Sequence, residues 1–174
     1  MIVNYSFLNR VLVNIGKLIE KSYETNEVQK VKFRVPGERR FNLKCLFGEH
    51  QYLYLRDLSF YCFATIMENR VLLIDYNYPC YGDGSIDIHI TVYPNAHKCK
   101  LRAPDRIGEV VQIIGEDGSN YTGLLSCYNC REMGVKELPL DHRIEQVGYK
   151  QTVNRVRMMQ MKDKEEEKSH RSGR

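Results

Sequence analysis

The chain has 174 residues, 43% of them hydrophobic, with 26 Lys and Arg against 22 Asp and Glu for a net charge of +4. Such a hydrophobic share excludes a wholly disordered chain, and the length suits one domain with a real core. No run approaches the roughly 18 apolar residues that cross a bilayer, and the start, "MIVNYSFLNRVLVNIGKLIEK", lacks the basic opening, compact apolar block and small-residue cleavage site of a signal peptide.

An intracellular, soluble protein that is not secreted and has no membrane partner is therefore the expectation. The mild positive balance selects no partner by itself, so the distribution of charge matters more than its sum. The cysteines fall at 45, 62, 80, 99, 127 and 130. The four outside "CYNC" lie in apolar or strand-like surroundings and read as reduced thiols rather than a disulfide framework. Trp is absent and Tyr numbers 12, so aromatic contacts fall to rings with a polar tip.

Leu8, Leu12, Ile15 and Ile19 recur at helical spacing, predicting an amphipathic helix over 5–22, with Gly16 in its middle costing about 1 kcal/mol relative to Ala. "VKFRV" and "FNLKCLF" each alternate in period two around "PGERR", which predicts a hairpin. From "YLYLRDL" onward the pattern is β. "FYCFATIMENRVLLIDY" reads as one long, curved or bulged strand. "SIDIHITVY" alternates cleanly, with Ile86, Ile88, Ile90 and Val92 on one face and Asp87, His89, Thr91 and Tyr93 on the other. "KCKLRA" is expected to pair with it across "PNAH", and "GEVVQIIG" and "YTGLLSCYN" add two strands around "EDGSN".

About five short strands, the first of them long and curved, predict a mostly β, five-stranded Greek-key barrel with an N-terminal and a C-terminal helix, which accounts for the long first strand better than an SH3-like barrel or an open α+β sheet does. The domain reading is a helix and hairpin extension over 1–50, the barrel over 51–150, and a helical to disordered charged tail over 151–174, ending in "KDKEEEKSHRSGR".

The order of these pieces resembles the first oligonucleotide-binding barrel of the telomere end-binding and protection-of-telomeres family. "YLYLRDL" stands as the lead-in, "ATIMENRVLLIDYNYP" as the first strand, and "CYGDGS" as the loop and turn. "IDIHITVYPN" follows as the second strand, "HKCKLRA" as the third, and "RIGEVVQIIGEDGSNYTG", with Tyr121 near its end, as the last pair. The match covers roughly 52–125. The loop before "RIGEVV" is shorter than the family's, and the second barrel common in it has no counterpart here. The resemblance implies a nuclear protein at chromosome ends that holds a G-rich single strand of DNA, without cofactor or turnover.

In such a barrel, bases stack on aromatic faces beside a positive groove. Tyr76, Tyr78 and Tyr81 lie on the loop after the first strand, His89 and Tyr93 on the open face of the second, and Lys98, Lys100 and Arg102 alternate along the third. With Tyr121 they form the candidate nucleic-acid surface. The competing reading packs the tyrosines into the barrel and leaves the lysines to keep an edge soluble.

His97, Cys99, Cys127 and Cys130 offer a zinc set of which only "CYNC" has knuckle spacing, so no metal and no cofactor is the expectation. No nucleophile motif or phosphate loop accompanies His50, His89 and His142, and a binding protein rather than an enzyme is expected. The stripe of the N-terminal helix packs on the barrel or docks a partner subunit. Two rivals remain: a structural or assembly protein, for example viral matrix-like, and a zinc-containing RNA-binding regulator.

Overall fold

The computed structural model describes residues 3–35, 43–48, 51–56, 60–77, 82–94, 99–102, 112–115 and 145–172. Helix α1 (Tyr5–Thr25) starts where the Asn4 side chain accepts the Phe7 N–H at 3.0 Å. It stops at Asn26, whose φ of 54° lies in the left-handed region that Asn tolerates best among residues with a side chain. Its apolar stripe, Leu8, Val11, Leu12, Ile15 and Ile19, is buried along the sheet.

Five antiparallel strands form that sheet: β1 (Gln29–Val35), β2 (Leu53–Arg56), β3 (Phe60–Met67), β4 (Arg70–Asn77) and β5 (Ile86–Tyr93). Their spatial order is β1-β5-β4-β3-β2, a meander of four with β1 set against its far edge. Strands β6 (Cys99–Arg102) and β7 (Gln112–Gly115) pair with each other in a second, two-stranded sheet. The core face of the large sheet is read off the register. Val31, Phe33 and Val35 stand beside Ile90, Ile88 and Ile86, and Ile90 and Ile88 stand beside Ile74 and Tyr76. Alternation carries that whole row to one side, where it meets α1.

The sheet is open, and this overturns the predicted closed barrel. Among the described residues β1 pairs only with β5 and β2 only with β3, so the two outer strands never meet. The cause is local. The run read as one long curved strand folds back at Glu68 and Asn69, both with positive φ (52° and 58°), the signature of a two-residue primed hairpin turn. Its residues form two eight-residue strands lying side by side, and no long strand is left to serve both sides of a barrel.

Two further pairings differ from expectation. "FNLKCLF" is not the partner of "VKFRV": Leu43–Leu46 forms a short 3-10 turn and β1 takes β5. "KCKLRA" is not the neighbour of β5 but of β7. The predicted strand "YTGLLSCYN" lies outside the described residues.

Helix α2 (Tyr149–Ser172) extends through most of the charged tail. Straight-chain Met, Gln, Lys, Glu and Arg have high helix propensity, Lys162 and Glu166, and Glu167 and Arg171, stand at the i,i+4 spacing that favours a helix, and His170 and Arg171 complement the C-terminal dipole. Its N-terminus is anchored through Val147, which bridges to Met67 and donates to the Ile66 carbonyl at 2.9 Å. Tyr149 then lies across α1, its hydroxyl donating to the Leu12 carbonyl at 2.9 Å and its ring over Gly16. Near the other end of the contact Tyr5 donates to Asp163.

Candidate nucleic-acid interface

The face of the sheet turned away from α1 is divided. Along β3 and β4 it is apolar and buried, with Ala64, Val71 and Leu73 at 1% exposure or less. Along β1 and β5 it is polar. Lys30, Lys32 and Arg34 alternate on β1 opposite the apolar Val31, Phe33 and Val35, and all three are exposed. Their register partners are Thr91, His89 and Asp87. Alternate side chains on a strand stand about 6.8 Å apart, so three cations form a row across roughly 13 Å.

Arg34 pairs with Asp87 at 3.5 Å, a partly exposed contact that contributes little to stability. The same strand is tied to α1 by Arg10, whose guanidinium lies 4.8 Å from the Phe33 ring centre and donates to the Arg34 carbonyl at 3.2 Å. That bond fixes one end of an outer strand whose backbone would otherwise be less restrained.

His89 sits beside this row, half-buried, with Lys32 opposite on β1, Asp75 opposite on β4, and Asp87 two residues earlier on its own strand. Burial and then the Lys32 ammonium hold its pKa below the ordinary histidine value, and Asp87 opposes them. The imidazole is therefore mostly neutral at pH 7, and an anion beside it would favour its charged form.

The other predicted residues fall differently. Tyr76 is not on a loop: it belongs to β4, faces the core with 9% exposure, and has no open ring face to offer a base. Tyr93 lies on the predicted face but is 1% exposed, among the fully buried side chains. Tyr78, Tyr81, Lys98 and Tyr121 lie outside the described residues, as do His97, Cys127 and Cys130 of the zinc set. Lys100, Arg102 and Cys99 lie on β6, which is hydrogen-bonded to β7 and not to β5, so the predicted pairing of a basic strand with the His89 face does not form.

No group of three or more His, Cys, Asp or Glu among the described residues is arranged to hold a metal. Cys45 is a free, half-buried thiol whose pKa burial pushes up, with Arg155 opposing, which disfavours a reactive thiolate. None of the described helices is long and apolar enough to cross a membrane.

Lys30, Lys32 and Arg34 are not among the residues singled out from the sequence. The signal was present in "QKVKFRV": counting the apolar half of the alternation gives the strand, and the remaining half is a row of bases. Comparison of the chain with protein-family models, with curated proteins and with solved structures gave no match.

Proposed function

We propose that the protein binds single-stranded DNA along the polar edge of its sheet, with Lys30, Lys32 and Arg34 on the phosphates and His89 as a proton-linked fourth contact. The observation that carries this reading is the exposed row of three cations on one face of one strand. Its spacing is close to that of phosphates along an extended strand, whereas a duplex would present its phosphates on a curved, two-sided path. Among the described residues charge supports the binding and stacking does not, because Tyr76 and Tyr93 are core residues.

A second reading rests on the same residues. Lys on an outer strand is a common device against edge-to-edge pairing of sheets, and it suits an assembly protein that must control how its edges meet. The two readings separate under one experiment. Single-stranded DNA, matching RNA and duplex DNA are titrated at equal salt, with the Lys30→Gln/Lys32→Gln variant alongside. Tighter binding of the single strand, lost in the variant, supports the proposal. Equal or better binding of duplex, or a variant that binds normally but aggregates, replaces it with edge protection.

A further inference from the structure

Helix α1 runs antiparallel to β1 on the core side of the sheet. Near one end Arg10 donates to the Arg34 carbonyl, and near the other the Gln29 amide donates to the Thr25 hydroxyl at 2.8 Å. These contacts fix which flank of α1 lies beside the outer strand. With 3.6 residues per turn, Lys17 and Lys21 stand about 20° to either side of Arg10 around the helix axis, and Thr25 about 60° from it toward β1. Arg10, Lys17 and Lys21 are all exposed. Glu20 and Glu24 fall on the opposite flank, about 80° and about 40° from Arg10. Further round on that flank, Gly16 meets Tyr149 and Tyr23 meets Arg70.

The outer strand is therefore bordered by cations on both sides. Lys30, Lys32 and Arg34 stand on the face away from α1, and Arg10, Lys17 and Lys21 follow α1 over about 16 Å. Arg10 joins the two rows, because its guanidinium reaches the backbone of Arg34. Neither Lys17 nor Lys21 forms an ion pair among the described residues. A polyanion that lies on the first row and crosses the edge of the sheet meets the second. That path bends round a single strand of the sheet. A flexible single strand can follow it, whereas a duplex stays stiff over about 150 base pairs.

We infer that a longer DNA strand crosses the outer edge of β1 and places further phosphates on Lys17 and Lys21 of α1, an extension that rests on the single-strand binding proposed above. Arg10 is committed to the Phe33 ring and the Arg34 carbonyl, so it holds the two rows together while the lysines take the phosphates. Strand length decides the occupancy. A strand of about four nucleotides fills the β1 row alone, and one of about twelve covers both.

Salt titrations of the full chain with oligonucleotides of about four and about twelve nucleotides test it. Lys17→Gln/Lys21→Gln should reduce the slope of log affinity against log salt by about 1.4 for the longer strand, at about 0.7 per phosphate contact. The shorter strand should show no change. Comparing proteins at one strand length removes the end effects of the oligonucleotide. Lys162→Gln/Lys164→Gln on α2 removes the same charge at exposed positions of the other helix and should alter neither slope. A longer-strand slope that the α1 variant leaves unchanged overturns the inference. So does an equal fall in the α2 variant, which would mark an effect of net charge alone. Lys30→Gln/Lys32→Gln tells this failure from that of the binding itself. If it lowers both slopes while the α1 variant lowers neither, only the second row is rejected. If it too lowers neither, both rows are rejected.

Discussion

The Glu68 carboxylate accepts the backbone N–H of Tyr149 at 2.9 Å, so a residue in the β3–β4 turn caps a helix that begins 81 positions later. The same residue donates its own N–H to the Val147 carbonyl at 3.2 Å, and its carbonyl accepts from Arg70 at 2.7 Å and from the Tyr23 hydroxyl at 3.4 Å. Arg70 in turn lies 3.3 Å from the Tyr23 ring centre and donates to the Ser22 hydroxyl at 2.8 Å. One turn thus fastens α1, the sheet and α2 together. These contacts hold Glu68 in a left-handed backbone that it would not adopt alone, at a cost of about 1–2 kcal/mol.

Replacing Glu68 by Ala removes the cap and keeps the strain, and should lower unfolding stability by about 1 kcal/mol. Glu68→Gly loses the cap but relieves the strained φ, and should lie close to the wild type. Urea denaturation followed at 222 nm checks both. A Gly variant as unstable as the Ala variant would show that the backbone conformation carries no cost.

Gly16 should resist substitution although it lies in mid-helix. A Cβ there would overlap the Tyr149 hydroxyl and lie 2.7 Å from the ring carbon that carries it. Ala ordinarily gains about 1 kcal/mol over Gly in a helix, but here overpacking should outweigh that gain and leave Gly16→Ala destabilised by about 1–3 kcal/mol. In a Tyr149→Ala background the same change should become stabilising. A double-mutant cycle measures the reversal.

Much of this fold is legible in the sequence, and the misreadings share a cause. Helix α1 was visible in the spacing of Leu8, Leu12, Ile15 and Ile19, and β5 in the alternation from Ile86 to Val92, because each carries a local period. The turn at Glu68 and Asn69 was not visible. No Gly or Pro marks it, and Glu68 holds its positive φ through contacts with Tyr23, Arg70, Val147 and Tyr149, all remote or invisible to a local pattern. Reading through that turn produced the long strand, and the long strand produced the barrel. Partner choice failed likewise: alternation identifies β1 but not β5 as its neighbour. At the site, alternation along β5 puts His89 on the polar face, whereas the burial of Tyr76 and Tyr93 depends on what packs from elsewhere and has no local signal.

Tyr76 and Tyr93 should therefore behave as core residues. Replacing either by Ala should cost about 3–5 kcal/mol of stability, with any loss of DNA binding following the unfolded fraction. A folded Tyr93→Ala variant with normal stability and lost binding would return that ring to the interface.

His89 links both stability and binding to pH, with opposite signs. Its pKa is lower in the folded chain than the ordinary value of about 6.5. The unfolded chain thus binds the proton more readily, and stability present above that value should fall as pH drops below it. Lys32 reinforces the direction, while Asp87 moderates it. DNA phosphate beside the imidazole favours the charged form, so affinity should rise over the same interval. His89→Gln should flatten both profiles, measured by thermal unfolding and by titration with a labelled oligonucleotide between pH 7.5 and about pH 5.5.

The central claim is that the row on β1 contacts phosphates, and the salt dependence of single-strand binding tests it most directly. Three contacts predict a slope of log affinity against log salt of about −2, since each contributes roughly 0.7 on a single strand. Lys30→Gln and Lys32→Gln should each reduce that slope by about 0.7, additively, with folding unchanged. Slopes in the two variants equal to that of the wild type would place the DNA elsewhere and contradict the account.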